Sequence, residues 1–63
     1  MAPQKRLYSV KEAGVYLGRT DWGVRYMISL GRLPAVRDGR RVLLDIKDMD
    51  EFIERNKVVE PPE

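Results

Sequence analysis

The chain has 63 residues, no cysteine and no histidine, which leaves room for one domain and excludes disulfides and cysteine-bearing zinc sites, along with the commonest general base. Its formal net charge of +2 conceals a split. Residues 1–44 carry nine bases (Lys5, Arg6, Lys11, Arg19, Arg25, Arg32, Arg37, Arg40, Arg41) against three acids (Glu12, Asp21, Asp38), a net +6, whereas residues 45–63 carry three bases (Lys47, Arg55, Lys57) against seven acids (Asp45, Asp48, Asp50, Glu51, Glu54, Glu60, Glu63), a net −4.

The basic part suits a polyanionic partner, although solvated charge on a small soluble protein gives the same count. No apolar run approaches the roughly 20 residues of a membrane span. No signal-peptide pattern is visible, and the lack of cysteine is compatible with a reducing cytosol. A cytoplasmic protein without membrane contact is the expectation.

Met1 to Leu7 reads as a polar, basic and mobile lead-in. Ser9-Val10-Lys11-Glu12 is a capping box, in which the Ser9 hydroxyl accepts from the Glu12 N–H and the Glu12 side chain reaches back to the Ser9 N–H. Val10, Ala13, Gly14 and Leu17 then fall on one helical face. Gly14 costs about 1 kcal/mol in a helix relative to alanine, which points to close packing of a neighbouring helix, and Gly18 is a left-handed stop. Thr20 caps a second helix with Asp21 in its first turn. Val24, Met27 and Ile28 form its inward stripe, while Trp22, Tyr26 and Ser29 point outward with Arg25 beside them. Gly31 ends this helix and Pro34 prevents its return. The turn between the two helices is only about three residues, which fits a helix-turn-helix.

Ala35-Val36-Arg37 and Arg40-Arg41-Val42-Leu43-Leu44 read as two strands joined at Asp38-Gly39, a strong hairpin signal. Alternation places Val42 and Leu44 on one face, with Arg41 and an outward Leu43 on the other. Asp45 caps a third helix, with Asp48 completing a second capping box. Ile46, Met49, Phe52 and Ile53 form that helix's buried stripe, and its outer face is mostly acidic. The chain after Val58 is too proline-rich to continue a helix. The expected core is Leu7, Val10, Ala13, Leu17, Val24, Met27, Ile28, Leu33, Val36, Val42, Leu44, Met49, Phe52 and Ile53. The fold is therefore mainly α with a small β-hairpin, in the order helix, helix, two-stranded wing, helix. It forms one domain over residues 1–63, with an ordered core at about 7–56 and flexible ends.

Tyr8-Ser9-Val10-Lys11-Glu12-Ala13, Tyr16-Leu17-Gly18, Gly31-Arg32-Leu33-Pro34-Ala35, Gly39-Arg40-Arg41-Val42 and Asp48-Met49-Asp50-Glu51-Phe52-Ile53 occur in order and at a specific spacing. Together they resemble the excisionase-like, MerR-type winged helix-turn-helix family, over Tyr8 to Glu54. The resemblance implies a small bacterial, phage or mobile-element protein that binds double-stranded DNA. Its second helix would enter the major groove, and its wing would touch the neighbouring minor groove or backbone. Excisionases bind adjacent sites cooperatively, bend DNA and redirect an integrase from insertion to excision, while relatives are transcription regulators. Integrase contact, head-to-tail self-association on DNA and a nucleoid-associated place in a bacterial cytoplasm follow as expectations, with no cofactor. One departure stands out: the family often has a serine, two bases and a threonine where this chain has Thr20-Asp21-Trp22-Gly23, so the target sequence is unreadable by analogy.

Arg37, Arg40 and Arg41 lead the candidate DNA contacts. A guanidinium forks onto phosphate and fits a narrow minor groove, and a rigid hairpin lowers the entropy lost on binding; a solvated tip that merely blunts a sheet edge is the alternative. Arg19, Arg25 and Arg32 add phosphate contacts, with Arg25 placed to read a base edge, and Thr20 completes the set as cap. If about five phosphates are neutralised, log K falls with log salt at a slope of about −4 to −5. Trp22 and Tyr26, four residues apart, would pack on sugars and thymine methyls, or Trp22 would fold back and enlarge the core. The arginines of wing and helix are expected to share a single face. The acidic third helix would dock a basic partner or remain a solvated face. Asp48, Asp50, Glu51 and Glu54 have no histidine, cysteine or phosphate loop beside them, so neither an enzyme nor a metal site is expected. The functional expectation is an excisionase. A transcription regulator of the same fold, or a protein-interaction module using Trp22, Tyr26 and Leu43 without DNA, are the alternatives.

Overall fold

A computed structural model describes residues 5–62. The elements run β1 (Leu7–Ser9), α1 (Val10–Leu17), α2 (Asp21–Ser29), β2 (Val36–Asp38), β3 (Arg41–Asp45) and α3 (Ile46–Arg55). Three helices and one antiparallel sheet make a mainly α, winged helix-turn-helix. The sheet order is β1-β3-β2, so the wing hairpin gains a third strand from the N-terminal segment.

Local chemistry sets the helix ends. The Ser9 hydroxyl accepts from the Glu12 N–H at 3.1 Å, and the Glu12 carboxylate accepts from the Ser9 N–H at 3.0 Å, closing the capping box. Thr20 Oγ1 accepts from the Gly23 N–H at 3.0 Å and caps α2. Both α1 and α2 end in a Schellman arrangement. Gly18 has φ +70°, and the Arg19 N–H donates to the Gly14 carbonyl at 2.7 Å. Gly31 has φ +73°, and the Arg32 N–H donates to the Met27 carbonyl at 3.0 Å. Gly14 serves this turn rather than a neighbouring helix, because a Cβ at position 14 would lie 2.6 Å from the Arg19 carbonyl oxygen.

The lead-in is a structural element rather than a mobile arm from Lys5 onward; the rest of that expectation, at residues 1–4, lies outside the described residues. Leu7, Tyr8 and Ser9 pair with Asp45, Leu44 and Leu43. The Arg6 carbonyl accepts from the Ile46 N–H at 2.8 Å, and the Arg6 guanidinium meets Asp45 at 3.0 Å. Asp45 caps α3 through the Lys47 N–H at 2.9 Å. The expected capping box with Asp48 does not form, because Asp45 spends one oxygen on Lys47 and the other on Arg6. Lys5 adds an ion pair with Glu12 and a contact over the Tyr8 ring, 4.9 Å from its centroid.

The third strand also changes the burial of the wing. Leu43 is 9 % exposed rather than outward, because Ser9 and Val36 flank it on the two neighbouring strands. Its expected role as an exposed protein contact falls with that burial. The core consists of Val10, Ala13, Val24, Met27, Leu33, Leu44 and Met49, with Tyr8, Leu17, Ile28, Val42, Ile46 and Phe52 packed around it. Leu7 and Val36, expected in the core, lie on the exposed sheet face; each occupies an edge strand with a neighbour on one side only. On the other side of the domain Tyr16 ties α1 to α3 through a hydrogen bond to the Asp50 carboxylate, which pushes the phenol pKa up.

Candidate nucleic-acid interface

The wing turn sits one residue later than the sequence pattern implied. Asp38 pairs with Arg41 and Arg37 with Val42, so the two-residue loop is Gly39-Arg40 rather than Asp38-Gly39. Gly39 has φ +61° and no other residue of the turn has positive φ, the pattern of a type II′ turn with glycine at its first central position. This register places Arg37 on the sheet face of Val42, and Asp38 and Arg41 on the opposite face with Leu43. The wing arginines are thus divided between its two faces rather than gathered on one.

Arg25 of α2 joins them. It borders an open depression of about 190 Å³ with Ile28, Ser29, Arg37 and Val42. It also borders a second, of about 330 Å³, with Asp21, Lys11, Arg40, Arg41 and Leu43. Arg25 therefore stands between two groups at the junction of α2 and the wing: Arg37 beside one depression, and Arg40, Arg41 and Lys11, from the first turn of α1, beside the other. Lys11 was missed by sequence reasoning, since only the pairing of β1 with β3 brings the start of α1 beside the wing. Among the described residues, the ion pairs are Lys5–Glu12, Arg6–Asp45 and Lys57–Glu54. The bases at the junction are in none of these pairs, although Asp21 borders the same depression and Asp38 stands opposite Arg41, so their donors remain open to an external anion.

The other candidates divide. The Thr20 hydroxyl is spent on its cap. Arg19 lies in the interhelical turn, where its Cβ and Cδ pass over Gly23, within 3.5 and 3.8 Å of where a Cβ would stand. Arg32 is not gathered with the wing, and instead borders a separate depression of about 410 Å³ with Phe52, Arg55 and Asn56 at the end of α3. Trp22 and Tyr26 do not fold into the core. Their rings stack on each other with centroids 5.1 Å apart and planes 7° apart, and remain 72 % and 49 % exposed. Val24 and Met27 are the buried residues of α2, so at 3.6 residues per turn the aromatic pair occupies the outer side of this helix, next to Arg25.

A short, capped helix with its outer face free, followed by a hairpin whose cations border the same helix, suits adjacent grooves of a duplex. Among the described residues no group of His, Cys, Asp or Glu is arranged to hold a metal ion, and no helix is long and apolar enough to cross a membrane. A protein-family model described as a helix-turn-helix domain matches residues 7–57. Neither the curated proteins nor the solved structures yield a significant match to the chain.

Proposed function

We propose that this chain, which belongs to the helix-turn-helix domain family of DNA-binding proteins, is an excisionase: a non-catalytic factor that grips and bends attachment-site DNA and directs an integrase toward excision. The observation that carries the DNA-binding part is the position of Arg25, which borders both depressions between α2 and the wing and so links Arg37 to Arg40 and Arg41. In this reading α2 enters the major groove while the wing cations hold the flanking phosphates. The excisive part is supported by the resemblance of Tyr8–Ala13, Gly31–Ala35 and Gly39–Val42 to the excisionase-like proteins.

The mechanism follows from energetics rather than bond chemistry. Smooth bending of a short site costs on the order of 1–6 kcal/mol. A single small domain supplies few phosphate contacts, so several copies in tandem offset that cost, and the bent site then lets the integrase assemble in its excisive arrangement. The acidic outer side of α3, with Asp50, Glu51 and Glu54 exposed, would be repelled by phosphate and in this reading meets a basic surface of the integrase or of the next copy. The test is an excision assay with the cognate integrase and attachment-site DNA. Stimulated excision and suppressed insertion are expected. Duplex binding without any effect on recombination would make the protein a transcription regulator instead.

A further inference from the structure

We propose that Trp22 and Tyr26 read thymine 5-methyl groups in the major groove, so that an apolar pair rather than an arginine fork sets the sequence preference. The inference rests on the duplex-binding reading above. The two rings are stacked at 5.1 Å and 7°, and Trp22 is among the most exposed large apolar side chains of the described residues, at 72 %. The pair stands on the outer side of α2, away from the buried Val24 and Met27, on the helix whose Arg25 borders the wing. Asp21 and Gly23, on either side of Trp22, carry no donor that could fork onto guanine, and Arg25, beside Tyr26, borders the two depressions shared with the wing, where it serves phosphate.

Shape narrows the ligand. Neither ring borders any of the three depressions described above, so the pair stands proud of the surface. An unstacked base needs a closed slot between side chains, whereas a protruding helix face suits the open major groove. There the apolar group displayed by base pairs is the thymine methyl. Because the rings are already stacked on each other, part of their rotamer freedom is surrendered before binding. Burying one methyl is worth about a fourfold change in affinity.

Trp22 is the single tryptophan of the chain, so its fluorescence reports on the pair directly. The experiment first enriches bound sequences from a library of short random duplexes. The enriched duplex is then compared with the same duplex carrying deoxyuridine in place of thymidine, for the full chain and for Trp22→Ala. The wild-type chain is expected to prefer the thymidine duplex by about fourfold for each methyl contacted, with Trp22 shielded from acrylamide in the complex. Trp22→Ala is expected to fold normally by circular dichroism, to bind both duplexes and to lose the preference. Equal binding of both duplexes by the wild type, or a preference retained in Trp22→Ala, overturns the proposal. So does a Trp22 that stays open to acrylamide on the duplex, which would turn the pair toward a protein partner, or one quenched more by single strands than by duplex. Absence of any duplex binding instead overturns the DNA-binding reading itself.

Discussion

Gly14→Ala tests how the helix-turn-helix is held together. In most exposed helix positions the change to alanine stabilises by about 1 kcal/mol. At position 14 the added Cβ would stand 2.6 Å from the Arg19 carbonyl oxygen, a backbone atom that cannot rotate away. The turn must move, and with it the 2.7 Å bond from the Arg19 N–H to the Gly14 carbonyl. Overpacking of this kind costs about 1–3 kcal/mol, and weakening one hydrogen bond costs about 1 more. Set against the helix-propensity gain, the net loss is about 1–3 kcal/mol, which in a domain of this size lowers Tm by roughly 5–20 °C. Thermal and urea unfolding followed by far-ultraviolet circular dichroism measure it. Gly23→Ala is the control, because its Cβ would meet Thr20 Oγ1 at 3.3 Å and Arg19 Cβ at 3.5 Å, so the capping hydroxyl need shift by only a few tenths of an ångström; the slight weakening of that cap roughly offsets the propensity gain, and a net change within about 0.5 kcal/mol is expected. A Gly14→Ala protein as stable as wild type would refute the claim that this turn depends on a bare backbone.

Two further predictions concern the N-terminal clamp. The Lys5 ammonium, with help from the Ser9 N–H, holds the Glu12 carboxyl down at about 2, and Arg6 holds the Asp45 carboxyl below its ordinary value. Both groups are more acidic folded than unfolded, so their contribution is complete above the usual carboxylate range and is lost as pH falls from about 4.5 toward about 2. Acid titration of stability should show this loss, and Glu12→Gln should flatten it while leaving stability at pH 7 lower; an unchanged acid limb would contradict the pairing. Asp45→Ala removes both the cap of α3 and the partner of Arg6 and is expected to cost about 1–2 kcal/mol, whereas Asp45→Asn keeps an acceptor for the Lys47 N–H and should cost less. Equal losses by denaturant titration would show that the cap contributes nothing separable from the ion pair.

The parts of this fold legible in the sequence are those governed by neighbours a few residues apart. Ser9 with Glu12, Thr20 with Gly23, and the left-handed glycines at 18 and 31 all act within one helical turn. The third strand was not legible. Leu7-Tyr8-Ser9 is too short to show alternation, and its partners lie at the far end of the wing. That single omission explains the misplaced Leu43, the supposedly mobile Lys5 to Leu7 and the overlooked Lys11. The wing turn was ambiguous for another reason: Asp-Gly suits a type I′ loop, and Gly-Arg suits a type II′ loop one residue later, so only the cross-strand register decides between them. The spacing of Trp22 and Tyr26 announced a pair on one side of a helix, but whether that pair would turn inward depended on space in a core already filled by Val24, Met27 and Leu33. Arg32 looked equivalent to Arg25 in sequence, yet the turn after Gly31 carries it to the end of α3.

The central claim is that cations at the junction of α2 and the wing grip the phosphates of a duplex. Its most direct measurement is the salt dependence of duplex binding for the wild-type chain and for an Arg40→Ala, Arg41→Ala double variant. With Arg25, Arg37, Arg40 and Arg41 each neutralising one phosphate, log K should fall with log salt at a slope of about −4, and the double variant should retain about half of that slope with weaker binding to every sequence. A slope unchanged by the double substitution, or duplex binding insensitive to salt, would contradict it.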